Sequence, residues 1–453
     1  MSVQDALRAQ RFGFGGFAGQ WPAITGTIEG PDPMLTQFPG QSSIEALRAF
    51  EEGNKRINDA RKSGDTEALT KVRREVTNTA RATTEMDLRR EIARAVSGPD
   101  SYRERLVRFW ADHFTIIPRA SVQAPFVTPY VDEAIRTHLT APFAQMLKAA
   151  ILHPAMLRYL DQSASVGPRS PIGTAQGKGL NENLGRELLE LHTLGTQGGY
   201  TQEDVRQTAL LLTGLRIDSK SETGFTFAPR RAEPGAETVL GRAYGGKKAS
   251  IADIEALLDD LANHPATARH LSGKLATHFV SDTPPEGLVA DLTAVWLTSN
   301  GDLPKVFAAL ASHPLANGPT LDKARQPFDF LIASLRALGV TGEEVMAWEA
   351  KLLRTIASGP MKQMGQPWHA PNGPDGWEEG FERWITPQGL ASRIDWAMQM
   401  PRRLTKDLPD ARAFTQMALG ELAPPDLATQ VARAETNTEG VGLVLASPQF
   451  NRR

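Results

Sequence analysis

Residues 181–215, NENLGRELLELHTLGTQGGYTQEDVRQTALLLTGL, carry the clearest fold signal in the chain. Leucines recur at helical spacing on both sides of a glycine-rich turn at 195–200. We therefore predict a helix over 181–194, a turn, and a second helix over 202–214 that Thr201 caps. Two helices joined in this way are typical of an all-α protein.

The first of these helices has two different faces. Its leucines share one face, and the opposite face is polar. The polar residues are Glu182, Asn183, Arg186, Glu187 and Glu190. A row of carboxylates beside a flexible turn is a surface that a ligand can approach. A charged face is equally typical of a solvated helix, so both interpretations stay open.

Composition is that of a soluble globular protein and excludes several kinds of site. The chain has 453 residues, of which 41% are apolar and 23% charged. Its net charge of -2 lacks the basic excess of nucleic-acid-binding proteins, so we expect no nucleic-acid partner. The absence of cysteine excludes disulfides, zinc–thiolate sites and a cysteine nucleophile. No pattern in the sequence identifies a cofactor, a metal or an oligomeric state.

The sequence also bears on location. Its N-terminal segment, MSVQDALRAQRFGFGG, lacks the apolar core of a secretory signal. No run of about 18 apolar residues is present, so we expect no membrane span. As it stands, the sequence predicts a cytoplasmic protein.

Helical periodicity extends through most of the chain and predicts an all-α fold. The longest expected helices cover 42–63 and 66–97. Strand signal is confined to a small β-hairpin excursion near 216–247, with Gly245-Gly246 expected to turn it back. We expect one large multi-helix unit over 1–453. Its expected parts are an N-terminal subregion 1–100, a core 101–400 and C-terminal helices 401–453.

Residues 13–18, GFGGFA, formally fit the G-x-G-x-x-A pattern of dinucleotide-binding proteins. That site needs a strand before the glycines and a helix after them. Here a helical pattern precedes them, so we do not expect a dinucleotide site. We interpret the glycines as a tight bend that places Phe12, Phe14 and Phe17 in the core.

Two aromatic-rich segments hold further candidates. Residues 109–114, FWADHF, place Asp112 and His113 near a helix end, where they can act in acid–base catalysis, bind a metal, or simply pack in the core. Residues 365–377, GQPWHAPNGPDGW, form a loop that contains Trp368 and Trp377. Those indoles can stack on sugar rings or anchor the loop to the body of the protein.

Together these segments resemble the bacterial family catalogued as domain of unknown function 1800. The matching pieces run in order over nearly the whole chain; they are 11–15, 109–114, 153–161, 181–214, 264–268, 274–275, 278–280, 365–371 and 376–377. The resemblance implies a largely helical fold and no established activity. Polar residues mark the family: Asp112, His113, Asp161, Asn181, Glu182, Asn183, Arg186, Glu187, Glu190 and Tyr200. Such a pattern favours a polar site or a buried polar network at the central helix.

The resemblance also implies a partner and a second location. Members of the family are often encoded beside a second uncharacterised family, domain of unknown function 1501, whose product is the expected partner. Many members look exported, although no segment of this sequence indicates export.

We favour the hypothesis of a carboxylate-dependent hydrolase that acts on a glycan or a similar polymer. Glu187 and Glu190 would act as acid and base, with Asp112 or His113 across the cleft, and Arg186 would hold one carboxylate ionised. The residues expected to bind the ligand are Asn181, Glu182, Asn183, Tyr200, Asp161, Trp368 and Trp377.

Two alternatives accompany this hypothesis. The first is a metal-dependent enzyme; its ligands would be Asp112, His113, Asp161, Glu187 and Glu190. The second is a non-catalytic helical protein that acts with a partner. In that case the polar stripe of the central helix would be a satisfied internal network with no pocket nearby.

Overall fold

Helices dominate the computed structural model of the protein, which describes residues 2–177 and 179–453. In the first half the helices are α1 (Val3–Phe12), α2 (Pro33–Gln37), α3 (Ser43–Lys62), α4 (Thr66–Ser97), α5 (Ser101–His113), α6 (Val127–Tyr130), α7 (Phe143–Ile151), α8 (Pro154–Tyr159), α9 (Pro171–Gln176), α10 (Asn183–Glu187) and α11 (Gln202–Leu211). The predicted all-α fold with a small β excursion is therefore confirmed.

The second half continues in the same way. Its helices are α12 (Ile251–Ala262), α13 (Pro265–Phe279), α14 (Glu286–Thr298), α15 (Leu303–Ser312), α16 (Pro327–Ala337), α17 (Gly342–Met346), α18 (Ala350–Leu353), α19 (Gly359–Gln363), α20 (Phe381–Trp384), α21 (Pro387–Gln399), α22 (Pro401–Leu404), α23 (Ala411–Leu419), α24 (Pro425–Ala432) and α25 (Asn437–Ala446). Within the described residues, no helix is both long enough and apolar enough to cross a membrane.

Shorter helical turns complete the list. The 3-10 turns are Ser121–Phe126, Arg136–His138, Gln162–Ala164, Pro314–Ala316 and Gly420–Leu422. The π-helical turns are Val131–Ile135, Leu188–Thr193 and Arg354–Ser358.

Local capping sets where many of the helices begin. The Ser42 side chain accepts the N–H of Glu45 at the start of α3, and Asp65 does the same for Ala68 at the start of α4. These caps place the two long helices at the bounds that periodicity predicts. A histidine side chain caps α13: the Nδ1 of His264 accepts the N–H of Ala266 at 3.1 Å. A proline, Pro265, occupies the first position of this helix.

The β excursion consists of two separate antiparallel hairpins. The first pairs β1 (Leu215–Ile217) with β2 (Phe225–Phe227), and the second pairs β3 (Gly235–Val239) with β4 (Arg242–Gly246). The prediction of a turn at Gly245-Gly246 is wrong, because both glycines lie within β4. The chain turns instead at Leu240-Gly241, where both residues have positive φ, as tight two-residue hairpin turns require.

The central helix also differs from its prediction. Regular α-helix ends at Glu187, and residues Leu188–Thr193 form a π-helical turn. There the N–H of Leu194 donates to the carbonyl of Leu189 at 3.0 Å, and the Thr193 hydroxyl donates to the carbonyl of Leu188 at 2.6 Å. The wider turn breaks the 3.6-residue period that was used to assign residues 181–194 to an apolar and a polar face. π-turns of this kind are frequent at functional sites.

Buried apolar residues form two cores. The first core gathers side chains from α1, α3, α5 to α8, α10 to α15 and the two hairpins. The second core gathers the end of α4 with α16 to α19 and α21 to α25. At the N-terminal bend, Phe12 joins the first core and Phe14 the second, while Phe17 is only half-buried. A helix, α1, precedes the glycines of this bend, so it lacks the strand that a dinucleotide site requires.

Buried ion pairs tie distant segments to these cores. The Arg136 guanidinium donates to the Glu104 carboxylate at 2.7 and 2.8 Å and to Asp32 at 2.8 Å. All three side chains are buried. The contact joins α5 to the segment before α2. Since a buried charge is costly unless it is paired, these residues depend on each other.

Candidate functional site

A cavity of about 690 Å³ opens where five segments meet. They are the end of α5, residues 194–197 after the π-turn, one face of α13, residues 284–289 at the start of α14, and residues 375–379, which we call the 375–379 loop. The polar lining residues used below are Asp112, His113, Arg269, His270, Lys274, Glu286, Asp375 and Glu379. Trp377 forms part of the wall. The cavity therefore brings together residues that lie far apart in sequence.

Asp112 lies near the end of α5 and is held by the 375–379 loop. The N–H of Trp377 donates to its two carboxylate oxygens at 3.0 and 3.1 Å. Gly376 permits this approach, since it has φ +81° and a Cβ there would lie 2.8 Å from Asp112 Oδ1. Burial raises the pKa of Asp112 to about 7, although the positive charge of Lys274 opposes the change. Asp112 therefore changes protonation near neutral pH.

His113 follows Asp112 and forms the back of the cavity. Its Nε2 lies 3.2 Å from the carbonyl of His192, and its Nδ1 lies 3.1 Å from Lys274 Nζ. A carbonyl only accepts hydrogen bonds, so Nε2 carries the proton and Nδ1 is the acceptor. Lys274 therefore donates to His113. Burial lowers the pKa of His113 well below its usual value, with Lys274 acting in the same direction, so the imidazole is neutral.

Burial also acts on Lys274, which projects from α13 into the cavity. It lowers the pKa of this amine, while the negative charges of Asp112, Glu379 and Asp375 raise it. Lys274 and Asp112 thus lie within electrostatic reach of each other, and each is shifted toward its neutral form.

Glu379 is a lining carboxylate whose oxygens are already engaged. Its Oε1 accepts from His278 Nδ1, and its Oε2 lies 3.2 Å from Lys323 Nζ. The Nε2 of His278 in turn accepts from Arg105 at 3.0 Å. Burial opposes ionisation of Glu379, but His278 and Lys323 outweigh it and lower its pKa to about 2. Glu379 is therefore a fixed negative charge rather than a proton donor.

The tryptophans of the 365–377 segment divide between two roles. Trp377 lines the cavity and makes an edge contact with Trp384, whose ring centroid lies 5.8 Å away. Trp368 lies on the other side of Asp112, where its indole N–H donates to Glu91 at 2.7 Å. His369 contacts the same carboxylate at 2.8 Å. Trp368 anchors the loop, and Trp377 is the indole available to a ligand.

Glu187 and Glu190 lie near Tyr200, outside the cavity lining. Both are half-buried. Burial raises the pKa of Glu187, and the nearby charges of Glu190 and Asp375 add to the effect. Burial and Glu190 likewise raise the pKa of Tyr200. Glu187, Glu190 and Tyr200 are not among the residues that line the cavity.

Two further predicted residues form a surface network between α10 and α11. Glu182 lies 3.7 Å from Arg186, and both contact Gln202 at 3.2 Å. Arg186 and Glu182 are partly exposed rather than sealed from solvent. Because these side chains are open to solvent, the arrangement differs from the closed network that the non-catalytic hypothesis requires.

The remaining predicted residues hold local structure. Asp161 pairs at the surface with Arg119 at 2.6 Å, with about half of each side chain exposed (50% and 54%). Asn181 donates to the carbonyl of Leu160 at 3.0 Å and accepts the N–H of Asn183 at 3.0 Å. These contacts position the start of α10.

The geometry does not favour the metal-dependent alternative. In the parts of the chain that the structure describes, no three His, Asp or Glu side chains are grouped so that they could hold a metal ion. Asp161 in particular is engaged with Arg119 at the surface.

Sequence reasoning missed Lys274, His270, Asp375 and Glu379 as site residues. Two signals were present. Arg269, His270 and Lys274 are basic residues that share one face of an otherwise mostly apolar helix. Asp375 and Glu379 flank Trp377, which was a candidate. Neither signal is specific, because basic helix faces and acidic loops are common at protein surfaces.

Comparisons with known proteins place the chain in a family. Neither the curated proteins nor the solved structures gave a match. A family model with the description "Protein of unknown function (DUF1800)" matches residues 8–452. Because this match covers nearly the whole chain, the protein belongs to the DUF1800 family.

Proposed function

We propose that the protein is a hydrolase that acts on a glycan or a similar polymer, with Asp112 as its proton donor. The observation that carries the proposal is a carboxyl group with a pKa of about 7 at the wall of an open cavity. A general acid works best when its pKa lies near the working pH. Burial gives Asp112 this property, and its contact with the Trp377 N–H holds it in place.

A second carboxylate is available for the complementary step. Asp375 lines the same cavity and is exposed to solvent, so it can accept a proton from water. Glu379 is less suited to this role, because His278 and Lys323 engage its oxygens. Hydrolysis of a glycosidic bond needs one protonated and one ionised carboxyl on opposite sides of that bond. We propose Asp112 and Asp375 for these two roles.

Trp377 supports a sugar as the substrate. Its indole lies in the cavity wall, and its packing against Trp384 limits its movement. A flat aromatic surface suits the apolar face of a sugar ring. Glu187, Glu190 and Tyr200 do not line the cavity, and we propose that they contact the polymer beyond the bond that is cleaved.

The test is Asp112→Asn, with the release of reducing ends measured on a panel of neutral and acidic polysaccharides. We expect the change to reduce the rate on any cleaved substrate by about 10²–10⁴-fold, because an amide cannot donate the required proton. In the unmodified protein, the rate should fall as pH rises through about 7, where Asp112 ionises.

Asp87→Asn is the matched control. Burial also raises the pKa of Asp87 to about 7, but this side chain lies in α4 and pairs with Arg90 at 2.6 Å. It is therefore a buried acid of the same kind that is not part of the cavity lining. Its substitution should leave the rate unchanged. A protein that cleaves no member of the panel, or an Asp112→Asn variant as active as the parent, would refute the proposal.

A further inference from the structure

We infer that the α13 wall of the cavity binds an anionic group of the substrate through Lys274, so that the substrate is an acidic glycan. The inference rests on the proposed hydrolase function and names its substrate class. It depends on the contacts of Lys274, on the charges around it and on the space beside it.

The contacts of Lys274 leave part of its donor capacity unused. A lysine ammonium carries three N–H donors. One of them is directed at His113 Nδ1, which must accept because Nε2 donates to the His192 carbonyl. His113 is thus a neutral partner that orients the amine and does not neutralise its charge.

The charge of Lys274 also lacks a direct counterion. Among residues 2–177 and 179–453, no carboxylate lies within 4.0 Å of its nitrogen. Lys323, a fully buried lysine nearby, shows the contrast: it contacts Asp282, the carbonyl of Glu379 at 2.6 Å and the Glu379 carboxylate at 3.2 Å. The charges of Asp112, Glu379 and Asp375 act on Lys274 only from beyond this distance, so the half-buried ammonium has room for an anion in direct contact.

The space for that anion is present. Gly273 precedes Lys274 in the cavity lining, and a Cβ placed there would meet no atom within 4 Å. Arg269, one helical turn from Gly273, also lines the cavity, but its charge is paired with another lining residue, Glu286, at 2.9 Å, so Lys274 is the cation proposed to meet the anion. A carboxylate or sulfate group of a sugar can therefore reach Lys274 while the ring lies between α13 and Trp377.

Binding to the Asp112→Asn variant, which the proposed function expects not to cleave its ligand, tests the inference. The probes are an oligogalacturonate, a neutral galacto-oligosaccharide of equal length and a sulfated one, with affinities measured by calorimetry. At least one anionic probe should bind about tenfold or more tightly than the neutral probe, and added salt should weaken it. The sulfated arm shows whether the site takes a sulfate or a carboxylate. Equal binding of all three probes, or no binding, would overturn the inference.

Variants at Lys274 locate the contact. Lys274→Gln should remove the preference for the anionic probe, whereas Lys274→Arg should keep most of it by retaining the charge. Lys148→Gln is the control, because Lys148 pairs with Asp259 at 2.7 Å away from the cavity. Thermal melting of each variant checks that it is folded. If the Gln variant keeps the preference, the inference is wrong.

The two proposals can fail independently. Suppose that anion binding depends on Lys274 but turnover does not depend on Asp112. This result would support the anion site and refute the proposed role of Asp112 in hydrolysis. Turnover that depends on Asp112 but is equally fast on neutral polymers would support the hydrolase and refute the acidic glycan as its substrate.

Discussion

Asp112 and Lys274 lie in the same cavity, and burial shifts each toward its neutral form. In water both would be fully charged at neutral pH. In this cavity, the carboxyl can donate a proton and the amine has no carboxylate in direct contact. The chemistry proposed for the site therefore follows from where α5 and α13 place two ordinary side chains. Neither property can be read from residue type alone.

At the residue scale, we expect Asp112→Asn to stabilise the protein at pH 8. The folded state holds the pKa of Asp112 at about 7, above its usual 3.8. The stability contributed by the protonated carboxyl is complete below 3.8 and is lost as pH rises through 7. Asparagine does not ionise and avoids this loss. The melting temperature of the variant should exceed that of the parent by roughly 2–5 °C at pH 8.

Melts across the range from pH 5 to pH 8 check this expectation. The difference between variant and parent should grow with pH. Asp87→Asn should behave in the same way, since burial acts on Asp87 similarly, whereas Asp259→Asn at the surface should show no such trend. A difference that shrinks toward pH 8 would mean that Asp112 is not held in its protonated form.

At the element scale, α13 supplies one wall of the site and its position depends on its cap. We expect His264→Ala to destabilise the protein by about 1 kcal/mol, because the N–H of Ala266 loses its acceptor. His264→Asn should reduce the free energy of unfolding by only a few tenths of a kcal/mol, since asparagine caps helices well. Urea denaturation measures both. Equal losses for the two variants would show that the histidine ring stabilises the helix by packing rather than by capping.

Periodicity and capping predict where most helices lie, but not how the central one ends. The bounds of α3 and α4 follow from apolar spacing and from the caps at Ser42 and Asp65. The π-turn Leu188–Thr193 has no such signal, because neither apolar spacing nor a capping residue marks where the regular helix stops. It changes the direction in which side chains after Glu187 project. This is why the helical wheel places Glu190 in line with Glu187 and overlooks His192, whose carbonyl orients His113.

At the scale of the whole molecule, the site exists only because distant segments converge. Asp112, Lys274 and Asp375 come from α5, α13 and the 375–379 loop and meet at one cavity. The sequence predicts Asp112, His113 and Trp377 as candidates from their unusual local context. It cannot predict Lys274 or Asp375, since nothing near them in sequence reveals what they will face. Convergence of this kind depends on packing, which local patterns do not encode.

Buried ion pairs join α5 to the segment before α2, and they should contribute far more to stability than surface pairs. We expect Arg136→Met to destabilise the protein by about 3–5 kcal/mol, because Glu104 and Asp32 would remain buried without a partner. Arg119→Met is the control: Arg119 and Asp161 are half exposed, so the loss should be below about 1 kcal/mol. Urea denaturation at pH 7 measures both variants. Similar losses would contradict the role given to the buried pair.

The central claim is that Asp112 is a protonated acid at the cavity wall near neutral pH. Its ionisation can be measured directly from the carboxylic-acid infrared band, as the difference between the parent and Asp112→Asn during a pH titration. The account predicts that this band persists from pH 5 and disappears around pH 7. A carboxyl that is already fully ionised at pH 5 would contradict the account.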